Sequence, residues 1–328
     1  MKSSKFVLAV AATTALLLSA CTNQSGGDDG KSDKAAGDTK GGGDATYALV
    51  VHSAPGDPFW DVVKSGAEQA AEDLGVTVTF NGDPDPTKQS QLIDNAVAQG
   101  VDGLVVSMAN PDGVRSSVEA AVGEDIPVIT INSGLEQSKE FGAITHVGQS
   151  EALAGEAAGE QLAELGGKKM ICVIHEAGNV GLEDRCAGAA KTFGGEAENL
   201  QVDVSNIADA QSTIRSKLSA DSSVDTMLIL NNAVAMAAAQ AQQEAGTDAQ
   251  IGTFDLSSDV LGAIEDDAIA FAVDQQPYAQ GYLPVVFLAL KDRNGNDIGG
   301  GQPVYSGPAF VTKDNAAQVE EFAANGTR

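Results

Sequence analysis

Over residues 46–328, short continuous apolar runs alternate with longer stretches in which apolar residues recur at helical spacing. This alternation restricts the fold more than any other feature of the chain. Short apolar runs, such as TYALVVH at 46–52 and PVITIN at 127–132, predict buried strands. Between such runs lie longer stretches with an apolar stripe at helical spacing, as in 58–75. Strands that alternate with helices of roughly 10–15 residues are typical of parallel sheets covered on both faces. The sequence therefore predicts an α/β fold.

Polar residues stand directly before proline at several predicted helix starts, as in Asp57-Pro58 and Asn110-Pro111. Proline suits the first helical position, and an Asp or Asn before it can cap the free amides. In parallel sheets these starts lie at the carboxyl ends of the strands, where ligands bind. The loops after the strands are therefore the predicted place of a site. Further strands are predicted at 76–80, 103–108, 170–175, 201–205, 226–230, 250–254 and 268–274.

The N-terminus carries an export pattern that precedes this body. Two lysines and an apolar run too short to span a bilayer predict a signal peptide over 1–20. Small residues directly before Cys21 resemble a bacterial lipoprotein signal, which implies cleavage there and lipid attachment to Cys21. The alternative is a leader cut elsewhere, with Cys21 incidental. Residues 21–45 hold no aromatic and no large aliphatic residue, so they predict a flexible tether.

The net charge narrows the range of partners. The chain has 19 basic and 46 acidic residues, and its formal charge of −27 becomes −29 once the leader with its two lysines is removed. Phosphate binding needs a basic face, so nucleic acid is not expected as a partner. A polybasic membrane surface is disfavoured as well, which leaves the lipid anchor as the expected membrane contact. Three cysteines are too few for a disulfide framework or a zinc cluster, and no metal or cofactor is expected.

The body resembles the type I periplasmic binding proteins of the ribose and galactose class, the binding components of sugar importers. The similarity covers residues 46–328 and rests on the order and spacing of seven segments. These are GDPFWDVVKSGAEQAAEDLG at 56–75, GLVVSMANPD at 103–112, IPVITINS at 126–133, RCAG at 185–188, LILNN at 228–232, TFDLS at 253–257 and VDQQP at 273–277. The resemblance implies two Rossmann-like lobes with parallel sheets, joined by a hinge of three crossings, with one sugar bound between them.

The resemblance also implies where the chain passes between the lobes. The N-lobe is expected to comprise residues 46–132 plus 277–305, and the C-lobe residues 133–275 plus 306–328. The three hinge crossings are expected near 132–134, 275–277 and 305–308.

A sugar is a ring of hydroxyl groups with patches of C–H on its faces, so its site needs planar polar side chains and aromatic rings. Matched to the family, Phe59 and Trp60 resemble the aromatic pair of which at least one stacks on the sugar, and the alternative for the other is packing beneath the loop. Asp57 resembles the polar residue before this pair and is also placed to cap the helix. His52 ends the first strand, where it either points into the cleft or has a structural role.

Three more N-lobe candidates stand at strand ends. Ser107 and Asn110 follow the third strand, where the family has polar sugar contacts, and the alternative for Asn110 is to cap the helix that starts at Pro111. Asn132 ends the fourth strand, where family members often hold an Asp. This departure leaves the identity of the sugar open.

In the C-lobe, Arg185 fits the R-x-x-G pattern of the family's sugar-binding arginine, whose guanidinium offers five donors in a rigid fork. His175 ends the strand before it and is a candidate for the same wall. The family's remaining C-lobe and hinge contacts are matched in order by Asn231, Phe254, Asp255 and Gln275. A carboxylate at a strand end can accept from two hydroxyls at once, although Asp255 could instead cap the helix at 258–265.

Two cysteines remain in the body, Cys172 in a predicted strand and Cys186 in the helix that follows. In an exported protein such a pair favours a disulfide. The alternative is two buried thiols, if the strand and the helix hold the Cα atoms farther apart than the roughly 7 Å that a disulfide allows.

Motifs of enzymes on similar folds are missing from the sequence. No G-x-G-x-x-G follows the first strand, and there is no P-loop, no G-x-S-x-G elbow and no zincin histidine pair. We therefore expect no enzyme but a lipid-anchored, monomeric solute-binding component of an ABC importer. It would capture a monosaccharide or polyol by hinge closure and deliver it to a permease with ATPase subunits. The alternative is a sugar or signal-molecule receptor of the same fold.

Overall fold

The computed structural model describes residues 45–53 and 56–328. The predicted signal peptide, Cys21 and the predicted tether up to residue 44 lie outside the described residues. The strands are β1 (Thr46–Val51), β2 (Thr77–Gly82), β3 (Gly103–Ser107), β4 (Val128–Ile131), β5 (Thr145–Gly148), β6 (Lys169–Ile174), β7 (Glu196–Gln201), β8 (Thr226–Ile229), β9 (Gln250–Phe254), β10 (Phe271–Asp274), β11 (Val304–Tyr305) and β12 (Ala309–Val311). The helices are α1 (Pro58–Leu74), α2 (Pro86–Ala98), α3 (Pro111–Gly123), α4 (Leu135–Ser138), α5 (Glu151–Glu164), α6 (Val180–Phe193), α7 (Ile207–Ala220), α8 (Asn232–Ala245), α9 (Ser258–Glu265), α10 (Pro277–Asn294) and α11 (Ala316–Ala324). None of these helices is both long enough and apolar enough to cross a membrane.

The strands form two sheets of six. The first has the order β11-β5-β4-β3-β1-β2 and the second the order β12-β10-β9-β8-β6-β7. All neighbouring strands are parallel except β10 and β12, which are antiparallel. The first sheet with α1–α4 and α10 is the N-lobe, and the second sheet with α5–α9 and α11 is the C-lobe. The predicted α/β fold of two lobes with parallel sheets is confirmed.

Both sheets are covered on two faces, as the apolar runs require. In β1, Tyr47 and Leu49 pack in one cluster with α1 and α10, whereas Ala48 and Val50 pack in another with α2 and α3. Successive residues of β6 likewise face α7–α9 on one side and α5–α6 on the other. Because side chains of a strand alternate between its faces, a strand covered on both sides is apolar throughout.

Glycines bring two pairs of helices into direct contact. A Cβ atom at Gly281 of α10 would overlap the carbonyl oxygen of Val63 of α1. A Cβ atom at Gly155 of α5 would overlap the carbonyl oxygen of Arg185 of α6. The absence of a side chain at these positions lets the helix backbones approach closely. The second pair thereby sets the start of α5 beside Arg185.

The first passage between the lobes differs from the prediction. β5 pairs with β4 in the first sheet, so the chain leaves the N-lobe only after Gly148 and not near 132–134. The strand was missed because it carries buried polar residues in place of an apolar run. Its His146 ring nitrogen Nδ1 lies 2.9 Å from the hydroxyl of Thr130 on β4, so this polar contact joins the two strands within the sheet. The other two passages lie between β10 and α10 and between β11 and β12.

The strand predicted at 201–205 is also displaced, because β7 ends at Gln201. β7 is an edge strand of half-buried and exposed residues, so it lacks the apolar run that marks the central strands. The apolar residues Val202 and Val204 follow it in a loop, and their amides donate to the carbonyl oxygens of Ile174 and His175.

A disulfide joins Cys172 of β6 to Cys186 of α6, with the Cα atoms 5.7 Å apart. This separation lies within the roughly 4.4–6.8 Å usual for disulfides. Both cysteines are buried among the apolar residues between the C-lobe sheet and the helices α5 and α6. The bond therefore ties α6 to its sheet one residue beyond Arg185.

Candidate ligand-binding cleft

A cleft lies between the carboxyl ends of the two sheets. Both lobes contribute to it through the loops and helix starts that follow their strands. Of the predicted ligand-binding residues, those that line the cleft are His52, Asp57, Phe59, Trp60, Asn132, His175, Arg185, Asn231, Asp255 and Gln275. The carboxyl ends of parallel strands are where ligands bind in such folds, and the cleft occupies that position.

The N-lobe side presents two aromatic rings from the first turn of α1. The Asp57 carboxylate accepts the backbone amides of Phe59 at 2.9 Å and of Trp60 at 3.4 Å, so it caps the helix and orients both rings. The two rings meet edge to face with centroids 5.1 Å apart, and the His52 ring meets Trp60 in the same way at 4.9 Å. Both rings border the cleft and also pack in the N-lobe core.

The C-lobe side is organised around Arg185, whose side chain is only 4% exposed. Its Nε donates to the Oε2 atom of Glu151 at 2.5 Å, and its guanidinium lies 4.3 Å from the centre of the Phe254 ring. The same Glu151 oxygen also accepts from the Gln149 side chain at 2.9 Å. Arg185 is therefore held by an ion pair at one atom and by an aromatic face beneath it.

A chain of hydrogen bonds among residues that line the cleft links the two lobes. The Asn132 side chain donates to the Gln275 side-chain oxygen at 3.0 Å, and the Gln275 amide nitrogen donates to Asp255 at 2.6 Å. Asn132 and Asp255 each follow a strand in the left-handed region, with φ values of 59° and 70°. Asn and Asp tolerate this conformation better than other residues with a side chain.

Further contacts join the rims of the two lobes. The Ser133 hydroxyl of the N-lobe donates to the Asn179 side-chain oxygen at 3.1 Å, and the Val180 amide of α6 donates to the Ala109 carbonyl at 3.0 Å. His52 lies 3.8 Å from the Glu176 carboxylate across the cleft. The lobes thus meet directly at the edge of the site.

Burial shifts the pKa of several ionisable groups in the cleft. It lowers the pKa of His52 to about 3 and that of His175 to about 4, with Arg185 contributing to both shifts, so both rings are neutral at neutral pH. Burial raises the pKa of Asp255 to about 7, against the opposing effects of Arg185 and Gln275. The pKa of Asp57 is also raised, mainly by burial. Glu151 raises the pKa of Arg185 although burial opposes the charge.

Three predicted ligand-binding residues do not line the cleft. The Ser107 hydroxyl contacts the backbone amide and the Nδ1 atom of His52, at 3.0 and 2.7 Å, so it acts behind that ring. Asn110 is exposed and caps α3 by accepting the amide of Gly113 at 2.9 Å, the alternative that the sequence left open. Phe254 is fully buried beneath Arg185. Ser107 and Phe254 therefore support residues of the site.

Five further residues line the cleft but were not predicted from the sequence: Ser133, Glu176, Asn179, Leu182 and Leu230. Glu176 and Asn179 stand in the loop after β6, so the same strand-end argument that selected His175 could have found them. Glu151 also escaped selection. In the sequence, Glu151 is an ordinary acidic residue in the first turn of a helix. Its pairing with Arg185 becomes visible only from the contact between α5 and α6.

Comparison with known proteins agrees with this architecture. The periplasmic binding protein domain matches residues 47–291. The ribose import binding protein of Escherichia coli is 27% identical over 241 residues, which are 71% of this chain and 79% of that protein. The D-apiose import binding protein of Paraburkholderia graminis is 26% identical over 295 residues, covering 85% of this chain and 91% of that protein.

Among solved structures, a carbohydrate transporter from Acidothermus cellulolyticus 11B in complex with myo-inositol is 42% identical to this chain. The alignment covers 87% of this chain and 99% of that one, with a TM-score of 0.85. Since the domain match spans most of the described residues and the two-lobe fold agrees with it, the chain belongs to the periplasmic binding protein family and is a solute-binding protein rather than an enzyme.

Proposed function

We propose that the chain is the solute-binding component of an ABC importer and captures a neutral ring of hydroxyl groups, a monosaccharide or a cyclitol. The observation that carries this proposal is that the aromatic pair of the N-lobe and the buried Arg185 of the C-lobe line one cleft. The cleft is lined mostly by polar side chains together with a few aromatic and apolar ones, which suits a small polar ligand. Relatives named for ribose and D-apiose import, and the similar protein bound to myo-inositol, support this ligand class.

The lining residues supply what such a ring requires. The faces of Phe59 and Trp60 can cover C–H patches, and the terminal guanidinium nitrogens of Arg185 can donate to neighbouring oxygens. Asn132 and Asn231 can both donate and accept, while an ionised Asp255 accepts. A buried hydroxyl left unpaired costs about 1–3 kcal/mol, so this set of partners would distinguish between epimers.

Capture would proceed by closure of the two lobes about the three crossings of the chain. A ligand drives closure only through contacts that exist in the closed arrangement alone. The contacts Ser133–Asn179 and Ala109–Val180 join opposite lobes at the rim, so separation of the lobes would break them. A ring that touches Trp60 and Arg185 at once would favour the joined arrangement.

Delivery and anchoring complete the proposal. The closed protein would dock as a monomer on a membrane permease whose ATPase subunits drive import, and a lipid on Cys21 would hold it at the outer face of the cytoplasmic membrane. In the native host, Cys21→Ser should move the protein from the membrane fraction to the soluble exported fraction. Retention of the variant in the membrane fraction would contradict lipidation at Cys21.

Titration calorimetry against a panel of monosaccharides and cyclitols, including D-ribose, D-glucose and myo-inositol, tests the ligand class. We expect at least one to bind the wild type, and Trp60→Ala to weaken that binding by about tenfold to a hundredfold, or roughly 1.4–2.7 kcal/mol. Phe322→Ala is the matched control, because Phe322 is half-exposed on α11 in the C-terminal segment. Binding of a nucleoside or a signal furanone with no binding in the panel would favour the receptor alternative.

A further inference from the structure

We propose that Glu151 determines the charge selectivity of the cleft, by cancelling the charge of Arg185 so that the site accepts neutral and cationic rings and rejects anionic ones. This inference rests on the proposed function, because it concerns which hydroxyl-bearing rings the same cleft binds. It assigns a role to a residue that does not itself line the cleft.

Glu151 and Arg185 form a buried ion pair. Their side chains are each 4% exposed, and Nε of Arg185 donates to Oε2 of Glu151 at 2.5 Å. The other carboxylate oxygen, Oε1, is buried and has no hydrogen-bond partner among the described residues. Glu151 is therefore not shared with a second cation, and it pairs one to one with the guanidinium.

The fold keeps this pair fixed. Glu151 is the first residue of α5, and Gly155, one turn later, lies against the carbonyl oxygen of Arg185. Gln149 donates to the same Glu151 oxygen that accepts from Arg185, and the Phe254 ring supports the guanidinium from below. Arg185 consequently lines the cleft, but its charge is already balanced from behind by Glu151.

The remaining charges of the cleft are all acidic. Asp57, Glu176 and Asp255 line it, and the two lining histidines are neutral because burial lowers their pKa. Among the described lining residues, Arg185 is the only lysine or arginine. With that charge cancelled, a carboxylate or phosphate on the ligand would meet a net negative environment, whereas hydroxyl or ammonium groups would find acceptors.

Matched ligand pairs that differ mainly in charge test this inference. Calorimetry would compare D-glucose with D-glucuronate and D-glucosamine, D-galactose with D-galacturonate, and myo-inositol with myo-inositol 1-phosphate. For whichever neutral ring binds the wild type, we expect its anionic counterpart to bind at least a hundredfold more weakly. Glu151→Gln should shrink this ratio at least tenfold, because it frees the charge of Arg185 while preserving the side-chain shape.

Two further variants serve as references. Glu156→Gln changes the same residue type on the same helix, in a surface pair with Lys191, and should leave the ratio as in the wild type. The double variant Glu151→Gln/Arg185→Gln replaces both charges with amides and leaves no unpaired buried charge. In this double variant, the ratio of neutral to anionic affinity should stay within about threefold of the wild type, even though both affinities fall. The double variant also keeps the inference testable if the Glu151→Gln protein does not fold.

The outcomes separate the two proposals. An anionic ring that binds the wild type within tenfold of its neutral counterpart would overturn the role of Glu151 and leave the proposed function standing. An unchanged ratio in a folded Glu151→Gln protein, or a more than tenfold change in the double variant, would do the same. Failure of every neutral ring to bind the wild type would overturn the proposed function itself.

Discussion

Phe59 and Trp60 give the N-lobe side of the cleft two aromatic rings, whereas Arg185 and Asp255 give the C-lobe side two buried ionisable groups. Aromatic faces cover C–H patches of many ring ligands alike, but a charged or amide group loses its partner when one hydroxyl is inverted. On the proposed function, this difference predicts that the N-lobe side supplies affinity common to related rings. The C-lobe side is then expected to supply the discrimination between them.

Removing the organising group of the C-lobe side should have the largest effect. Arg185→Ala leaves Glu151 buried without its counter-charge, so the free energy of unfolding should fall by about 3–5 kcal/mol and ring binding should be lost. Chemical denaturation measures the first and calorimetry the second. The double variant Arg185→Ala/Glu151→Ala removes both charges and should recover part of the stability. A double variant less stable than the single one would show that the pair is not the cause.

The disulfide lies in the C-lobe, so removing it tests whether that lobe needs the additional constraint. Cys172→Ala/Cys186→Ala opens a loop of 14 residues and should lower the free energy of unfolding by about 3 kcal/mol. Dithiothreitol should destabilise the wild type by a similar amount and leave the variant unchanged. Equal stability of oxidised and reduced wild type would contradict a stabilising disulfide.

The pH dependence of ligand affinity should distinguish Asp255 on the C-lobe side of the cleft from His52 on the N-lobe side. Burial raises the pKa of Asp255 to about 7, and a hydroxyl that donates to Asp255 binds the ionised carboxylate more strongly than the neutral acid. Binding to the ionised form below pH 7 must therefore expel a proton, so affinity should be up to about tenfold lower at pH 6 than at pH 8. His52 on the N-lobe side has its pKa lowered to about 3 and does not titrate in this range. Calorimetry at both pH values measures the difference.

Asp255→Asn is the control for this pH dependence. An amide cannot ionise, so the variant should bind more weakly but with similar affinity at pH 6 and pH 8. A wild-type affinity that rises as the pH falls would have the opposite sign and would exclude the ionised Asp255 as the acceptor.

The smallest effect concerns two asparagines that cap helices. Asn110 caps α3 outside the cleft, and Asn231 caps α8 while lining it. Each change to Ala should cost about 1 kcal/mol of stability through loss of the cap. Asn110→Ala should leave ring affinity within twofold of the wild type, whereas Asn231→Ala should weaken it. Equal losses of affinity in Asn110→Ala and Asn231→Ala would indicate that Asn110 also contributes to ligand binding.

Strand ends and helix caps were predictable because they depend on neighbours in sequence. The run before His52 and the Asp57-Pro58 start led directly to the N-lobe side of the cleft. Glu151 and β5 were not predictable in the same way. Their roles depend on contacts with α6 and β4, and a buried polar residue looks like a surface residue until its partner is known. The family resemblance brought in Phe254 and Asn110 without telling contact from support.

The left-handed backbone at Asn132 and Asp255 limits how this cleft can change its ligand over evolution. At φ values near 60–70°, only glycine, asparagine and aspartate are readily accommodated, so an aromatic or branched replacement would require the strand ends to move. The same two residue types also recognise hydroxyl groups. New specificity would therefore arise more readily at lining positions with ordinary backbone geometry, such as Asp57 with φ −73° and Asn231 with φ −153°.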